Sequence, residues 1–412
     1  MGRKMWSRFL RVMPYYNLSR QANIFMIRYL SVYENRQQTK WMREVSEDLL
    51  RGPKVVGPVL EELFNKGVLV RNRAASSLDN NPLGKRKLIL SLSAGCLDKL
   101  GSDATEKIYH AHYLPSIGLH EAGKLGAATR KRESYLLVWA FLAAHSDEFG
   151  QVAGWSIMEI ALATGLKEAT VTAAIKMIKI DKKIIRHFTG FKLPRLGKQK
   201  SVYQLSVVED LGSGWVHLPP AFSVHENMFY VRFHDFFGGI DSVNKVILGI
   251  AEKSGINFDD MTLIFWPDKS AEEPGKSNVY WRHNKMIQDR LLHHSLHCAA
   301  KILSYHLADV PPFSDNCSLD TPEKRAAVFA STEIFRDDLN EFSIAAEAER
   351  PLERALHVYI FALAMNIAVL TKAKVPHPGK HHLFPGQRLH LRYAAKGANV
   401  VIETFCYKSN PK

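Results

Sequence analysis

The hydrophobic positions of residues 18–93 predict three helices followed by two strands. Three apolar stripes recur at the 3.6-residue spacing of amphipathic helices, and the third stripe ends at Gly67. A strand, a turn-rich segment and an alternating strand complete this first repeat. The predicted inward face of the helices comprises Ile24, Ile27, Leu30, Val45, Leu49, Leu50, Val56, Val59, Leu60 and Leu63.

The same order of elements recurs in residues 132–207, the second repeat. A long helix comes first, and Ser156 with Glu159 then forms the spacing of a capping box at the start of a short helix. Gly165 is predicted to turn the chain before a third helix, and a strand, a basic loop and a strand follow. The inward face comprises Leu136, Leu137 and Ala140 on the first helix and Val171, Ala174, Ile175 and Ile178 on the third.

Residues 158–178 resemble a helix-turn-helix, and the hairpin after the third helix makes each repeat similar to a winged helix. The tandem resembles bacterial transcription regulators and plasmid replication initiators. The resemblance implies an α+β, mostly helical fold with winged-helix domains at 18–93 and 132–208. Residues 94–131 would be a linker, and residues 215–412 a C-terminal domain for oligomerisation or partner binding.

The first repeat departs from the winged-helix pattern at one place. Gly57 and Pro58 lie near the start of its third helix. Proline is accepted in the first turn of a helix but not deeper, because it lacks the backbone N–H. This helix is therefore predicted to begin close to Val55 or to be bent.

Charge divides the chain into two halves. Residues 1–208 hold 33 Lys and Arg against 17 Asp and Glu, whereas residues 209–412 hold 22 against 24. A basic excess confined to one half predicts a polyanionic partner for that half. Double-stranded DNA is the partner that this charge and the winged-helix resemblance favour together.

A helix-turn-helix inserts the start of its second helix into the major groove, and cationic hairpins contact the phosphate backbone. In the second repeat the predicted DNA-contacting residues are Lys167, Thr170, Thr172 and Lys176 on the helix, with Arg186, Lys192, Arg195, Lys198 and Lys200 around the hairpin. In the first repeat they are Lys54 on the helix and Arg71, Arg73, Lys85, Arg86 and Lys87 on the hairpin.

The second half is predicted to mix helices with short strands. Residues 212–222 are predicted to be a linker or domain entry, 279–309 and 351–374 to be helices, and the tail to form a hairpin around Lys396 and Gly397. The helix 351–374 is apolar almost all round, so it is predicted to lie in the core or at a homodimer interface.

No phosphate-binding glycine loop and no catalytic serine elbow occurs in the sequence, so no cofactor and no enzymatic activity is predicted. His293 and His297 are four residues apart on a predicted helix, a spacing that can hold a metal, but the sequence identifies no third ligand. Packing is the favoured interpretation of this pair.

The chain has four cysteines without a CxxC pair and no apolar run near the 20 residues of a membrane span. A cytoplasmic protein without a membrane partner is therefore expected. Transcriptional regulation is the leading hypothesis and replication initiation on a plasmid or mobile element is the alternative. A nucleic-acid-processing enzyme and a protein-binding scaffold are further alternatives.

Overall fold

The computed structural model describes residues 5–33, 38–40, 45, 53–72, 88–102, 129–193, 197–206, 215–225, 277–305, 364, 367–368, 371–372, 388–396 and 399–407. The protein is α+β and mostly helical, with small antiparallel sheets. It divides into two compact units. The first comprises Met1–Thr189 and Lys200–Val207, and the second comprises Gly190–Gln199 and Val208–Lys412.

The first repeat contains two helices and a three-stranded sheet, with further helices before and after it. In chain order the elements are α1 (Met5–Val12), a 3-10 helix (Met13–Tyr15), α2 (Arg20–Tyr33), β1 (Gln38–Lys40), α3 (Pro53–Asn65), β2 (Leu69–Asn72), β3 (Leu88–Leu92) and α4 (Ala94–Ser102). The strand order in the sheet is β1-β3-β2, and both pairs are antiparallel. Helix α4 occupies the start of the predicted linker 94–131.

The second repeat has the same plan. Its elements are α5 (Thr129–Ala144), β4 (Gln151–Val152), α6 (Ile157–Thr164), α7 (Glu168–Ile180), β5 (Ile184–Phe188), β6 (Phe191–Leu193), β7 (Gly197–Gln199) and β8 (Val202–Leu205). The sheet order β4-β8-β5 reproduces β1-β3-β2, so the duplication extends to strand topology. The short strands β1 and β4 are additions to the predicted order of elements.

The predicted start and stop of α6 are confirmed. Ser156 Oγ accepts a hydrogen bond from the Glu159 N–H at 3.2 Å, and Glu159 Oε2 accepts one from the Ser156 N–H at 2.8 Å. This reciprocal pair satisfies two amide donors that the first turn leaves without an intrahelical acceptor. Gly165 ends the helix in the left-handed region with φ 67°.

The first helix of the second repeat is shorter than predicted. The sequence predicts a helix over residues 132–150, but α5 ends at Ala144. Asp147 stops it, because its Oδ1 accepts hydrogen bonds from the N–H groups of Phe149 and Gln151, each at 2.9 Å. An aspartate that binds backbone donors ahead of it favours a turn over helix continuation.

Helix α2 is buried on every side, whereas its pattern predicts one inward face. Every residue from Ala22 to Leu30 is buried. The reason is α1, an unpredicted helix that buries Trp6, Phe9 and Leu10 and contacts α2, α4 and α5. Burying side chains of this size contributes about 2 kcal/mol each to the free energy of unfolding, so α1 joins elements of both repeats.

The entry to α2 packs against the turn that follows α6. The buried Asn23 amide donates hydrogen bonds to the carbonyls of Leu18, at 3.2 Å, and Ala163, at 3.0 Å. A Cβ at Gly165 would overlap the backbone of Leu18 and Arg20. The helix-turn-helix of the second repeat is therefore held in place by the first repeat.

Helix α3 is attached to the same entry segment. Ser19 donates from its N–H to Glu62 Oε1 at 2.5 Å and from its Oγ to Glu62 Oε2 at 2.6 Å. The helix begins at Pro53, two residues before the predicted start at Val55, and Pro58 lies inside it with an exposed ring. The predicted inward residues Val56, Val59, Leu60 and Leu63 are buried.

The second unit contains a three-stranded sheet and a long helix. Besides β6 and β7, its elements are β9 (Trp215–His225), α8 (Ser277–Tyr305), β10 (Arg388–Lys396) and β11 (Asn399–Tyr407). The strand order is β10-β11-β9, and the predicted hairpin is confirmed by the pairing of Lys396 with Asn399. Helix α8 contacts β10, where Ser304 Oγ accepts a hydrogen bond from the Leu389 N–H at 2.8 Å.

Of the segment 212–222, predicted to be a linker or domain entry, residues 215–222 form an entry to the second unit. They begin the edge strand β9, whose pairing with β11 shifts register between Ile402 and Thr404. Pro219 and Pro220 lie opposite that irregularity. Proline is accepted in a strand at an edge or a bulge, where its missing donor does not break a ladder bond.

Several predictions lie wholly or largely outside the described residues. Of the predicted helix 40–52, Lys40 belongs to β1 and Val45 is helical and buried. Of the helix 351–374, the described residues Ala364, Ile367, Ala368, Thr371 and Lys372 are helical.

Gly165→Ala tests the packing of the turn on the entry to α2. We expect the free energy of unfolding to fall by about 3 kcal/mol, because the new Cβ meets backbone atoms that cannot move away as a side chain would, and it also strains the left-handed φ. Urea denaturation measures the loss.

Gly154→Ala is the matched control, because Gly154 has φ 78° and open space around its missing Cβ. It carries the backbone strain alone, and we expect a loss of about 1 kcal/mol. Equal losses in the two variants would contradict the proposed role of the contact with Leu18 and Arg20.

Candidate nucleic-acid interface

Helix α7 separates a buried face from an exposed one, as its sequence predicts. Val171, Ala174, Ile175 and Ile178 are all buried, which confirms the predicted inward stripe. The opposite face carries exposed side chains along the whole helix: Glu168, Ala169, Thr172, Ala173, Lys176, Met177, Lys179 and Ile180. One side of α7 therefore remains available to a partner after the core has formed.

The four predicted contact residues on this helix differ in exposure. Lys167 is the N-cap residue and is exposed, as are Thr172 and Lys176. Thr170 is half-buried in the first turn, where its N–H donates to the carbonyl of Lys167 at 2.8 Å. The Thr172 hydroxyl donates to the carbonyl of Glu168 at 2.9 Å.

Further cations, which the sequence analysis does not predict as DNA contacts, continue this surface to the end of α7 and beyond it. Lys179 and Lys182 are exposed, and Lys183 is half-buried with its Nζ 5.4 Å from the centre of the Trp139 ring. Arg186, which was predicted, is half-buried on β5. The interval 167–186 holds six basic and two acidic residues, and this local density is the signal that could have identified the additional lysines.

Lys182 holds a left-handed backbone conformation with φ 56°. Glycine takes this conformation without a steric penalty, whereas a residue with a Cβ pays about 1–2 kcal/mol. The position retains a cation at the C-terminal end of a helix, where positive charge is favoured by the helix dipole. The conformation also closes the end of α7, where the Lys183 N–H donates to the carbonyl of Ile178 at 3.1 Å.

His187 links the end of α7 to the sheet. Its Nδ1 lies 2.5 Å from Lys179 Nζ, and its ring stacks on Tyr203 with the ring centres 4.6 Å apart. Burial, and to a smaller extent the positive charge of Lys179, lower the pKa of His187 to about 4. The imidazole is therefore neutral at pH 7 and can accept a hydrogen bond from the Lys179 ammonium.

Lys200, a predicted DNA contact, forms an ion pair with Glu159 Oε1 at 2.6 Å. Burial raises the pKa of Glu159, but hydrogen bonds from Lys200 and Ser156 outweigh it and lower the pKa overall. Both side chains are partly exposed, so the pair contributes about 1 kcal/mol or less to stability. A phosphate at Lys200 would have to compete with this carboxylate.

The remaining basic residues of the second hairpin lie on β6 and β7. Lys192 and Lys198 are directly paired in the register of the two strands. These strands belong to the second compact unit, and Arg195 lies outside the described residues.

The first repeat presents two of its predicted contacts. Lys54 is exposed at the start of α3, and Arg71 is exposed on β2. The other four predicted residues, Arg73, Lys85, Arg86 and Lys87, lie outside the described residues.

The described residues contain no group of three or more His, Cys, Asp and Glu that could hold a metal ion. His293 and His297 are buried on α8. Within the same part of the chain, Cys96, Cys298 and Cys406 are buried and form no disulfide, and no helix is long and apolar enough to cross a membrane.

Comparison with protein-family models and with curated protein sequences finds no match for this chain.

Lys179→Met tests the electrostatic link between α7 and β5. We expect the pKa of His187 to rise from about 4, because the variant removes a nearby cation, and to stay below about 6.5 because burial remains. NMR titration of the imidazole measures this change, and Lys176→Met is the charge-matched control that leaves the pKa of His187 unchanged.

The sign of the pH dependence follows from this low pKa. Between about pH 6.5 and the pKa of His187 the unfolded chain binds a proton that the folded chain does not. The contribution of His187 to stability is therefore present above about pH 6.5 and is lost as the pH falls. A pKa of His187 that is the same in the Lys179→Met variant and in the parent would contradict the link.

Proposed function

We propose that this protein binds double-stranded DNA sequence-specifically, with α7 in the major groove. The observation that carries the proposal is the exposed, basic face of α7 within an element order α5-β4-α6-α7-β5-β8 and a sheet order β4-β8-β5. This order resembles that of winged-helix proteins, in which the helix after the turn reads base edges.

Electrostatics supports a polyanion as the partner of this face. The exposed lysines Lys167, Lys176, Lys179 and Lys182 lie on or next to α7. Asp181, one of the two acidic residues in this interval, accepts a hydrogen bond from the Tyr135 hydroxyl at 2.6 Å. Lysine and arginine that neutralise phosphates release counterions, which supplies sequence-independent affinity and makes it depend on salt.

Base contacts and phosphate contacts are assigned to different residues. Thr170, Thr172 and Lys176 on α7 are assigned to base edges, and Lys167 to a phosphate at the start of the helix. Arg186 is assigned to phosphates, as is Lys200 once it leaves Glu159, and the hairpin residues Lys192, Arg195 and Lys198 are also assigned to phosphates. Lys54, Arg71, Arg73, Lys85, Arg86 and Lys87 would engage a neighbouring part of the duplex.

Transcriptional regulation is the leading role for this binding, with residues 215–412 as the self-association domain of a homodimer. Replication initiation is the second candidate, favoured by the duplicated strand topology, since two readers suit repeated sites. Selection of bound duplexes from a random library tests both roles. A single palindrome favours a dimeric regulator, and directly repeated sites with helical phasing favour an initiator.

Replacing the three hairpin cations Lys192, Arg195 and Lys198 by Gln tests the phosphate assignment. We expect weaker binding to all duplexes and a plot of log affinity against log salt that is shallower by about 3, with unchanged sequence preference. Fluorescence anisotropy at several salt concentrations measures both quantities.

The contrasting variant combines Thr170→Val with Lys176→Gln on α7. It is expected to relax sequence preference while changing the salt slope by at most about 1. If the two variants behaved alike, the division between base and phosphate contacts would be wrong. If the parent protein bound no duplex at low salt, the proposed function itself would be wrong.

Lys182→Gly tests whether the strained residue serves binding. Relief of about 1–2 kcal/mol of left-handed strain exceeds the entropic cost of about 0.4–1 kcal/mol for the added glycine, so we expect a free energy of unfolding higher by about 0.5 kcal/mol. DNA affinity should fall, because a phosphate contact is lost.

Lys182→Ala is the control, because it removes the charge and keeps the backbone strain. It should lose the same affinity without becoming more stable. Unchanged affinity in both variants would show that Lys182 does not contact DNA, and chemical denaturation with anisotropy measures the two effects separately.

A further inference from the structure

The exposed face of the first two turns of α7 is lined by methyl groups. Ala169, Thr172 and Ala173 are all exposed, on the side away from the buried stripe. Residues 168–175, the first two turns, contain no Arg, Lys, Asn or Gln. Those are the residue types that pair in a bidentate manner with guanine or adenine in the major groove.

The hydroxyl group of Thr172 is already engaged within the helix. It donates to the carbonyl of Glu168 at 2.9 Å, one turn earlier. The γ-methyl is the branch of this side chain that takes no part in that bond. Thr172 therefore presents the same chemistry as its neighbours Ala169 and Ala173.

We propose that α7 recognises duplex DNA through the C5-methyl groups of thymines, a specificity that rests on the DNA-binding function proposed above. Apolar contact with the thymine methyl is the major-groove interaction that alanine and the threonine methyl can make. The small side chains allow the helix backbone to approach the base pairs closely. Lys167, exposed at one end of this methyl surface, supplies attraction to the phosphates, and Lys176 is exposed at the other end.

Charge complementarity favours duplex DNA over an apolar protein partner on this face. The interval 167–186 has six basic residues against two acidic ones, and the methyl surface lies within it. A protein interface of this size would be expected to bury aromatic anchors at its centre, whereas the residues here are Ala169, Thr172 and Ala173.

Base analogues test the proposal without changing the protein. The probe is the duplex most enriched from a random library, resynthesised with deoxyuridine in place of each thymidine in turn. Removing one contacted methyl should weaken binding by about fourfold. A 5-methylcytosine·guanine pair at the same position, which returns the methyl with different hydrogen-bonding edges, should restore part of the affinity, whereas unmodified cytosine·guanine should not.

Two variants, each of which changes one group of the Thr172 side chain, then locate the contact on the protein. Thr172→Ser removes the methyl and keeps the hydroxyl bond to Glu168, and Thr172→Val keeps a methyl and removes the hydroxyl. We expect the serine variant to bind the thymidine probe about fourfold more weakly than the parent. It should also lose its response to deoxyuridine at one position, while the valine variant behaves like the parent.

The outcomes distinguish the thymine-methyl readout from the DNA-binding function on which it rests. Binding of the enriched duplex that does not change with any deoxyuridine substitution overturns the methyl readout and leaves DNA binding intact. A valine variant that loses affinity while the serine variant does not assigns readout to the hydroxyl and also overturns it. Failure to enrich any duplex overturns the proposed function and this inference together.

Discussion

The close approach of two backbone segments at Gly165 is the constraint on which the first unit depends. The turn between α6 and α7 touches the chain as it enters α2, at a distance that excludes a Cβ. The Asn23 amide bridges the same two segments through the carbonyls of Leu18 and Ala163. Both partners are backbone atoms, which cannot move aside as a side chain can. The contact therefore fixes the position of the turn, and α7 is oriented by the first repeat as well as by its own core.

Contacts from elements outside the repeated pattern connect the two repeats to each other. Helix α1 contacts α2 and α4 on one side and α5 on the other, and the Arg11 side chain donates to the carbonyl of Ala144 at the end of α5. Glu62 on α3 holds Ser19 at the same entry segment that meets Gly165. Two similar folds thereby become one compact unit, in which α3 and α7 are tied to a common segment.

The composition of the exposed face of α7 depends on which side chains the surrounding elements bury or bind. Four apolar residues go into the core, Asp181 is engaged by Tyr135, and Lys200 is engaged by Glu159. What remains outward is the small side chains Ala169, Thr172 and Ala173 with Lys176 and Lys179, together with Glu168, Met177 and Ile180.

The sequence by itself determined the elements whose causes are local: the capping box at Ser156, the left-handed stop at Gly165, the apolar stripe of α7 and the C-terminal hairpin at Lys396. Each follows from side chains within a few residues, so a linear pattern contains the information. Only the tertiary structure decided that α2 is buried on every side, that residues 215–222 form an edge strand, and that Lys200 faces a carboxylate 41 residues away. These features depend on which distant segments come into contact. Burial, edge position and ion pairing arise from such tertiary contacts, so no single stretch of the chain contains the information.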